Sequence, residues 1–123
     1  MNKTVLIVDD DKMVRLFLRK LCKSLDLACK EAPNVAQALN LLSAGTVDLV
    51  ISDLGMPDES GFHLLQNIRS SGRSVPFMIF SGSLNSNEEE KKLYEAGANV
   101  ILHKSADISE LKNAIQNLLK SAE

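Results

Sequence analysis

Residues 4–8, Thr4-Val5-Leu6-Ile7-Val8, form a short apolar run that ends directly in three aspartates, Asp9-Asp10-Asp11. The hydrophobicity of the run is continuous rather than alternating, which indicates a strand covered on both faces, as in a parallel sheet between helix layers. Three similar runs recur along the chain, namely Asp48–Ser52, Phe77–Phe80 and Val100–Leu102. Another run, Leu27–Ala32, is partly polar, which is typical of an edge strand. We therefore predict five parallel strands.

The stretches between these runs predict helices, because their apolar residues recur at helical spacing. The stripes are Leu16, Phe17, Leu21 and Leu25; Phe62, Leu65 and Ile68; and Ile108, Leu111, Ile115, Leu118 and Leu119. Helix starts are indicated where a capping residue precedes Gln or Glu by three positions. These starts are Asn34, Ser86 and Asp107, and the expected helix ends are Gly45, Gly72 and Gly97.

The βα unit thus repeats five times over residues 1–123 without a linker, so we expect a single domain. Because crossovers between parallel strands are right-handed, this rhythm predicts a doubly wound α/β sheet. The flavodoxin-like strand order 2-1-3-4-5 is the commonest for five strands and has a reversal point between strands 1 and 3. Ligands of such folds bind beyond the carboxyl ends of the strands at that point.

The composition excludes several classes of function. The chain has 123 residues, 45% of them hydrophobic and 24% charged, with a formal net charge of −2. Without a basic excess we expect no direct nucleic-acid binding, and without an apolar run of about 18 residues we expect no membrane insertion. The N-terminus does not have the form of a signal peptide, so we expect a cytoplasmic protein. Cys22 and Cys29 are expected to be buried or half-buried reduced thiols.

Polar side chains follow four of the predicted strands at the point where each strand ends. They are Asp9, Asp10 and Asp11 after strand 1, Asp53 after strand 3, Ser81 after strand 4 and Lys104 after strand 5. We expect these groups to meet at one rim, with Asp58 and Glu59 near them. Clustered carboxylates raise one another's pKa unless a cation sits among them, and a set of oxygen ligands suits Mg²⁺. A hydroxyl and an ammonium at the same rim supply donors for a phosphoryl group.

Each of these residues also has a simpler interpretation. The three aspartates are what a helix N-terminus favours, and Asp53, Ser81 and Lys104 are each compatible with an ordinary loop or surface position. Their coincidence at the ends of four strands favours a site. The motifs GxxxxGK[ST], GxGxxG and GxSxG are absent, which argues against ATP hydrolysis, dinucleotide binding and a serine hydrolase. We expect no direct chemical role for His63 or His103.

The pattern resembles the receiver domain of two-component response regulators over essentially the whole chain. The strongest match is D-x-x-M-P-x-x-x-G directly after an apolar strand, here Asp53-Leu54-Gly55-Met56-Pro57-Asp58-Glu59-Ser60-Gly61. The other matching segments are Leu6–Asp11, Ser81-Gly82, Gly97-Ala98 and Lys104. In combination these motifs are highly specific to the family.

The resemblance implies that Asp53 is the phosphoacceptor. Its phosphoryl group would come from the phosphohistidine of a sensor histidine kinase or a phosphotransfer protein. Asp9, Asp10, Asp53 and the backbone carbonyl of Gly55 would hold Mg²⁺, which offsets the repulsion between a carboxylate and an anionic donor.

The resemblance also implies roles for Lys104 and Ser81. Lys104 would pair with the phosphoryl oxygens, and Ser81 would hydrogen-bond to them and move when the group arrives. The protein would then be a phosphorelay switch that docks to a downstream protein, and not an enzyme with a substrate of its own.

The sequence departs from the family pattern at two positions near the lysine. Ser105 stands where the family commonly has a proline, often in a cis linkage, and Ile101 stands where it has an aromatic switch residue. The resemblance also implies that the residues two positions beyond the phosphoacceptor and two beyond the hydroxyl residue set the lifetime of the phosphoryl group; here they are the small residues Gly55 and Ser83, so we expect a phosphoryl group that is not unusually long-lived. The chain also ends soon after the fifth helix, as expected of a stand-alone receiver or a piece of a larger regulator.

Two alternative functions remain at this point. Ser105 and Ile101 motivate a receiver-shaped interaction module without efficient phosphorylation. The spacing Asp9-x-Asp11, followed by Ser81 and Lys104, loosely matches a small aspartyl phosphatase, although Asp53 would then be idle.

Overall fold

The computed structural model describes residues 2–84 and 86–121, and this part of the chain alternates strands with helices. The strands are β1 Thr4–Val8, β2 Ala28–Ala32, β3 Leu49–Ser52, β4 Phe77–Ser81 and β5 Val100–His103. The helices are α1 Lys12–Ser24, α2 Val35–Ala44, α3 Gly61–Ser70, α4 Asn87–Glu95 and α5 Ile108–Ser121. All strand pairs are parallel, in the order β2-β1-β3-β4-β5. The predicted fold class and strand order are therefore confirmed.

The register aligns the carboxyl ends of the central strands. Val8 of β1 pairs with Ser52 of β3, which in turn pairs with Ile79 of β4. At the other edge, Ser81 pairs with His103 of β5. The residues that follow β1, β3 and β5 consequently emerge at one rim of the sheet.

Alternate strand residues form two apolar layers, one on each side of the sheet. Leu6 and Val50 pack on the side of α2 and α3, whereas Ile7 and Ile51 pack on the side of α1 and α5. All four side chains are buried, which explains why the strands have continuous rather than alternating hydrophobicity. No helix in the described residues is long and apolar enough to cross a membrane.

The three predicted helix caps are confirmed by side-chain hydrogen bonds. Asn34 accepts the Gln37 N–H at 2.8 Å, and Ser86 accepts the Glu89 N–H at 3.1 Å. Asp107 likewise accepts the N–H of the residue three positions later at 2.8 Å. Each cap satisfies a backbone N–H that has no partner within its helix.

The stripe predicted for α1 is partly wrong. Phe17 is 39% exposed, while Leu18 and Cys22 are buried together with Leu21. The helix has apolar residues on more than one side, so spacing alone admits several stripes and the packing against the sheet selects one. At α5 the first residue of the predicted stripe, Ile108, is 52% exposed.

The prediction for the two cysteines is confirmed. Both are free thiols, Cys22 buried in α1 and Cys29 half-buried in β2. The interaction between the two thiols lowers the pKa of Cys29 and, together with burial, raises that of Cys22.

Candidate functional site

Three charged side chains meet at the carboxyl rim of the sheet. Asp9 follows β1, Asp53 follows β3, and Lys104 follows β5. The Lys104 Nζ lies 3.0 Å from the Asp9 Oδ2 and 3.0 Å from the Asp53 Oδ2. One ammonium therefore bridges two carboxylates that would otherwise repel each other.

The three consecutive aspartates have different environments. The Asp9 side chain is 2% exposed and its Oδ1 accepts the Asp11 N–H at 2.9 Å. Asp10 is exposed. The Asp11 Oδ1 accepts the Met13 N–H at 2.9 Å and caps α1. The helix-cap interpretation is therefore correct for Asp11. The carboxylates of Asp9 and Asp10 do not cap α1 and remain available at the rim.

The carboxylates at the rim form a donor set for a cation. Asp9, Asp10 and Asp53 each offer one oxygen, and these three oxygens all lie within 4.8 Å of one another. An all-oxygen set of a few carboxylates, with room for water, fits Mg²⁺. Gly55 lies exposed in the loop after β3, and a Cβ added there would meet no heavy atom within 4 Å, so this side of the loop is open.

Burial and mutual charge set the electrostatics of the rim. Burial raises the pKa of Asp9, the negative charge of Asp53 adds to this effect, and the hydrogen bonds from Asp11 and Lys104 oppose it. For Lys104, burial by itself lowers the pKa, but the hydrogen bonds and charges of Asp9 and Asp53 outweigh it and the pKa is raised. The ammonium therefore stays charged, while Asp9 is held in an environment that disfavours its ionised form.

Ser81 ends β4 beside this group and is fully buried. Its Oγ lies 3.0 Å from the Ser83 Oγ and accepts the Ser83 N–H at 3.2 Å. Its backbone carbonyl accepts the Lys104 N–H at 3.1 Å, which ties the two residues together through the sheet edge. The hydroxyl is thus paired with its own loop in this structure.

The backbone of Asp53 and of Leu54, the residue after it, is held by hydrogen bonds from neighbouring residues. The Ser52 hydroxyl donates to the Asp53 carbonyl at 2.8 Å, and the Gly61 N–H donates to the Leu54 carbonyl at 2.7 Å. A Cβ added at Gly61 would lie 2.1 Å from the Asp53 carbonyl oxygen. Glycine at position 61 is therefore what allows α3 to begin against this carbonyl.

Asp58, which is expected near the acidic rim, directs its carboxylate to the start of α2 rather than to Asp9, Asp10 and Asp53. Its two carboxylate oxygens accept the backbone N–H groups of Val35 at 3.1 Å and Ala36 at 3.0 Å, at the start of α2. These bonds, with a further one from the Glu59 N–H, lower the pKa of Asp58. The carboxylate goes to α2 because N–H groups without partners, at the positive end of a helix, attract it more than like charges do.

Sequence reasoning also misses Arg15. Its guanidinium donates to the Asp9 carbonyl at 2.7 Å and forms an ion pair with Glu31 of β2 at 3.3 Å. The side chain thereby holds the backbone of the buried aspartate. No local pattern reveals this contact, because Glu31 lies 16 positions away from Arg15 along the chain.

The loop after β5 is closed by side-chain contacts at the position where the family commonly has proline. The Ser105 N–H donates to the His103 Nδ1 at 3.0 Å, and the Ser105 Oγ lies 2.7 Å from the same nitrogen. Residues 2–84 and 86–121 contain no cis peptide bond, so Ser105 follows Lys104 through a trans linkage. Ile101, at the aromatic switch position, is half-buried against the apolar layer of α2 and α3.

The chain belongs to the response regulator receiver domain family, whose model matches residues 5–116. It is similar to the receiver domain of Francisella response regulator 1452, with a TM-score of 0.93 and 28% identity over 99% of this chain and 100% of that one. It is also similar to a signal receiver domain of an HD domain-containing protein from Pseudomonas fluorescens Pf-5, with a TM-score of 0.91, 28% identity and coverage of 99% and 98%.

Curated relatives match over a small part of their own length. The chain is 33% identical over 111 residues to the sensor histidine kinase RcsC of Salmonella typhi, which covers 90% of this chain and 12% of that protein. It is 33% identical to the sensor protein EvgS of Escherichia coli K12, over 94% of this chain and 10% of that protein. For the Regulator of RpoS of the same strain the identity is 32%, over 93% and 34%. The chain thus spans between about a tenth and a third of these relatives.

Proposed function

We propose that this receiver domain is a Mg²⁺-dependent phosphoacceptor, with Asp53 taking a phosphoryl group from the phosphohistidine of a sensor histidine kinase or phosphotransfer protein. The observation that carries the proposal is the contact of one ammonium, Lys104 Nζ, with both Asp9 and Asp53 at 3.0 Å. A lysine between a buried acid and a second acid at the end of β3 supplies a cation where a phosphoryl group on Asp53 would need one.

Asp53 is the nucleophile in this proposal. A carboxylate oxygen of Asp53 attacks phosphorus, the phosphorus–nitrogen bond of the donor breaks, and the leaving imidazole takes the electron pair. The Asp53 Oδ1 accepts the Leu54 N–H at 2.7 Å, which orients the carboxylate. Held by Asp9, Asp10, Asp53 and the Gly55 carbonyl, Mg²⁺ would supply positive charge between the carboxylates and the anionic donor.

Lys104 and Ser81 respond to the new phosphoryl group. Lys104 exchanges its contact with the Asp53 carboxylate for the phosphoryl oxygens, and the Ser81 hydroxyl leaves Ser83 to donate to them. The loop after β4 follows the hydroxyl and leads into α4, whose single buried side chain among the described residues is Leu93. A helix anchored so lightly is suited to shift and to change the docking of a partner protein.

The test is the intact mass of the full chain after incubation with acetyl phosphate and Mg²⁺, compared with Asp53→Asn. We expect a single phosphoryl adduct on the native chain, no adduct on Asp53→Asn, and none on the native chain when Mg²⁺ is chelated beforehand. Because fast hydrolysis would hide an adduct, binding of beryllofluoride is measured in parallel. A native chain that shows neither adduct nor beryllofluoride binding would instead support an interaction module that works without phosphorylation.

The aspartyl phosphatase alternative is less well supported by the contacts. Such an enzyme would need the carboxylate of Asp11 free beside Asp9, and the Asp11 Oδ1 is occupied by the Met13 N–H at the start of α1. Hydrolysis of a phosphate ester by Asp53→Asn at the rate of the native chain would favour the phosphatase.

A further inference from the structure

We propose that His103 is a positioning residue for Lys104. Its imidazole restricts the backbone around the lysine, as a proline ring after the lysine commonly does elsewhere in the family. The inference rests on the proposed function, because it assigns a role in placing the group that pairs with the phosphoryl oxygens. The two residues involved flank the lysine: His103, at the end of β5, precedes it and Ser105 follows it.

The hydrogen bonds define the state of the ring. A backbone N–H can only donate, so the Ser105 N–H at 3.0 Å requires a lone pair on the His103 Nδ1. The proton of the neutral ring is therefore on Nε2. The Ser105 hydroxyl, 2.7 Å from the same Nδ1, lies on the same side of the ring. The imidazole of His103 thus reaches past Lys104 and contacts Ser105, the residue that follows the lysine.

This bridge closes a turn whose other bonds also surround Lys104. The Lys104 N–H donates to the Ser81 carbonyl at 3.1 Å, and the Ala106 N–H donates to the His103 carbonyl at 2.9 Å. Together the contacts fix the backbone on both sides of Lys104. A proline at position 105 would restrict the same backbone through its ring and would remove the N–H. Serine keeps the N–H, and the histidine gives it an acceptor.

The placement of the lysine is sensitive to this backbone. Lysine has a long flexible side chain, and holding its ammonium 3.0 Å from both Asp9 and Asp53 costs rotamer entropy. Fixing the backbone at Lys104 reduces the number of positions that its ammonium can reach, so a larger fraction of the side-chain conformations make the contact with the two carboxylates. If the turn is loosened, the ammonium spends less time at the two carboxylates, and charge stabilisation in the transfer step weakens.

The substitutions that test this role differ in whether they keep the acceptor. His103→Leu removes it while keeping side-chain bulk. His103→Asn keeps one, because an asparagine oxygen can accept the N–H two residues ahead in an Asx turn. Ser105→Ala is the matched control, since it removes the hydroxyl and leaves the backbone N–H in place. All are made in the full chain.

The first measurement is the rate of phosphorylation by acetyl phosphate at saturating Mg²⁺. We expect His103→Leu to be slower by about tenfold, and His103→Asn and Ser105→Ala to stay within about twofold of the native chain. Each variant is compared at its own saturating Mg²⁺ concentration, because Lys104 contacts two of the proposed carboxylate ligands and its displacement would also change the affinity for the cation. In a Lys104→Gln background, His103→Leu should cause no further loss, since its effect passes through the lysine.

Three results would overturn the proposal. One is a native rate for His103→Leu, another is an equally slow rate for His103→Asn, and the third is a full additional loss in the Lys104→Gln background. A second readout does not depend on phosphorylation: the NMR order parameter of the Lys104 Cε in Mg²⁺-free protein. It should fall in His103→Leu and be kept in His103→Asn. If the native chain takes no phosphoryl group the proposed function fails, while this order parameter still decides the role of His103.

Discussion

At the scale of single residues, Asp9 bears a charge in a place that disfavours it. The carboxylate is buried, and Asp53 adds a second negative charge at the same rim, so the pKa of Asp9 is raised above its ordinary value of 3.8. The folded state then holds this proton more tightly than the unfolded state does. Above pH 3.8 the ionisation of Asp9 therefore costs stability, and the cost grows as the pH rises through the raised pKa.

Asp9→Asn is expected to make the metal-free protein more stable at pH 7, by about 1 kcal/mol in the free energy of unfolding. The amide oxygen can still accept the Asp11 N–H, and the unfavourable charge is gone. The gain should shrink as the pH is lowered toward 4. Urea unfolding in the presence of a chelator measures both effects. Asp10→Asn, at an exposed position, is the control and should change stability by less than about 0.5 kcal/mol. A loss of stability in Asp9→Asn at pH 7 would contradict the argument.

Gly61→Ala should destabilise the protein by about 1–3 kcal/mol, as overpacking against fixed atoms usually does. The added Cβ would lie 2.1 Å from the Asp53 carbonyl oxygen, so α3 or the site loop must move. Thermal or urea unfolding measures the change. Gly55→Ala is the matched control for stability, since its Cβ would meet no heavy atom within 4 Å. Equal effects of the two substitutions would show that the close approach at Gly61 is not the cause.

At the scale of elements, Asp58 joins the loop after β3 to the start of α2. The carboxylate satisfies two backbone N–H groups of the helix, at Val35 and Ala36, while Asn34 satisfies a third at Gln37. The loop that carries the proposed phosphoacceptor is thereby fastened to a neighbouring helix. A movement of this loop during function would have to break these contacts or carry α2 with it.

Asp58→Ala should lower the free energy of unfolding at neutral pH, because it leaves two helix N–H groups without their carboxylate. The folded-state pKa of Asp58 is lowered from its ordinary value of 3.8, so its contribution is fully present above that pH. It is lost as the pH falls through the lowered value. The difference from the native chain should therefore vanish in strong acid. Urea unfolding between pH 7 and pH 2 tests this, and Glu59→Ala, which keeps the contacts of the Asp58 carboxylate with α2, is the matched control and should change stability by less than about 0.5 kcal/mol.

The strands could be predicted from the sequence more completely than the helices. A buried parallel strand is apolar on both faces, so a run such as Thr4–Val8 can be recognised as a strand from its sequence alone. In α1 the apolar residues occupy several sides, and only contact with the sheet decides that Leu18 is buried and Phe17 is not. Strand order follows from the frequency of similar folds and not from any pattern in the residues themselves.

The candidate site could be predicted only where a residue follows a strand directly. Asp9, Asp53 and Lys104 meet because the topology aligns the ends of their strands. The contacts of Asp58 and Arg15 could not be predicted in this way. Each joins groups far apart in sequence, and their side chains reach partners whose positions depend on the finished packing.

At the scale of the whole molecule, Mg²⁺ should reverse the order of stability between the native chain and Asp9→Asn. A ligand that binds the folded state alone stabilises it by about 2.7 kcal/mol at 100 times its dissociation constant. The native chain should gain this stability as Mg²⁺ is added, and Asp9→Asn should gain much less, because it lacks a carboxylate of the donor set. Differential scanning calorimetry across a Mg²⁺ titration, with Na⁺ at matched ionic strength as the control, measures the crossing. Parallel rises in both proteins would mean that Asp9 does not bind the cation.

The run Asp9-Asp10-Asp11 also limits which insertions and deletions the protein can tolerate. Three identical residues look interchangeable, yet one is buried beside Lys104, one is exposed at the rim, and one starts α1. Insertion or deletion of a single codon here would shift the helix cap by one position against β1 and rotate α1 by about 100° around its axis. The apolar face of the helix would turn away from the sheet. We expect the length of this run to be more strictly constrained in evolution than its composition suggests.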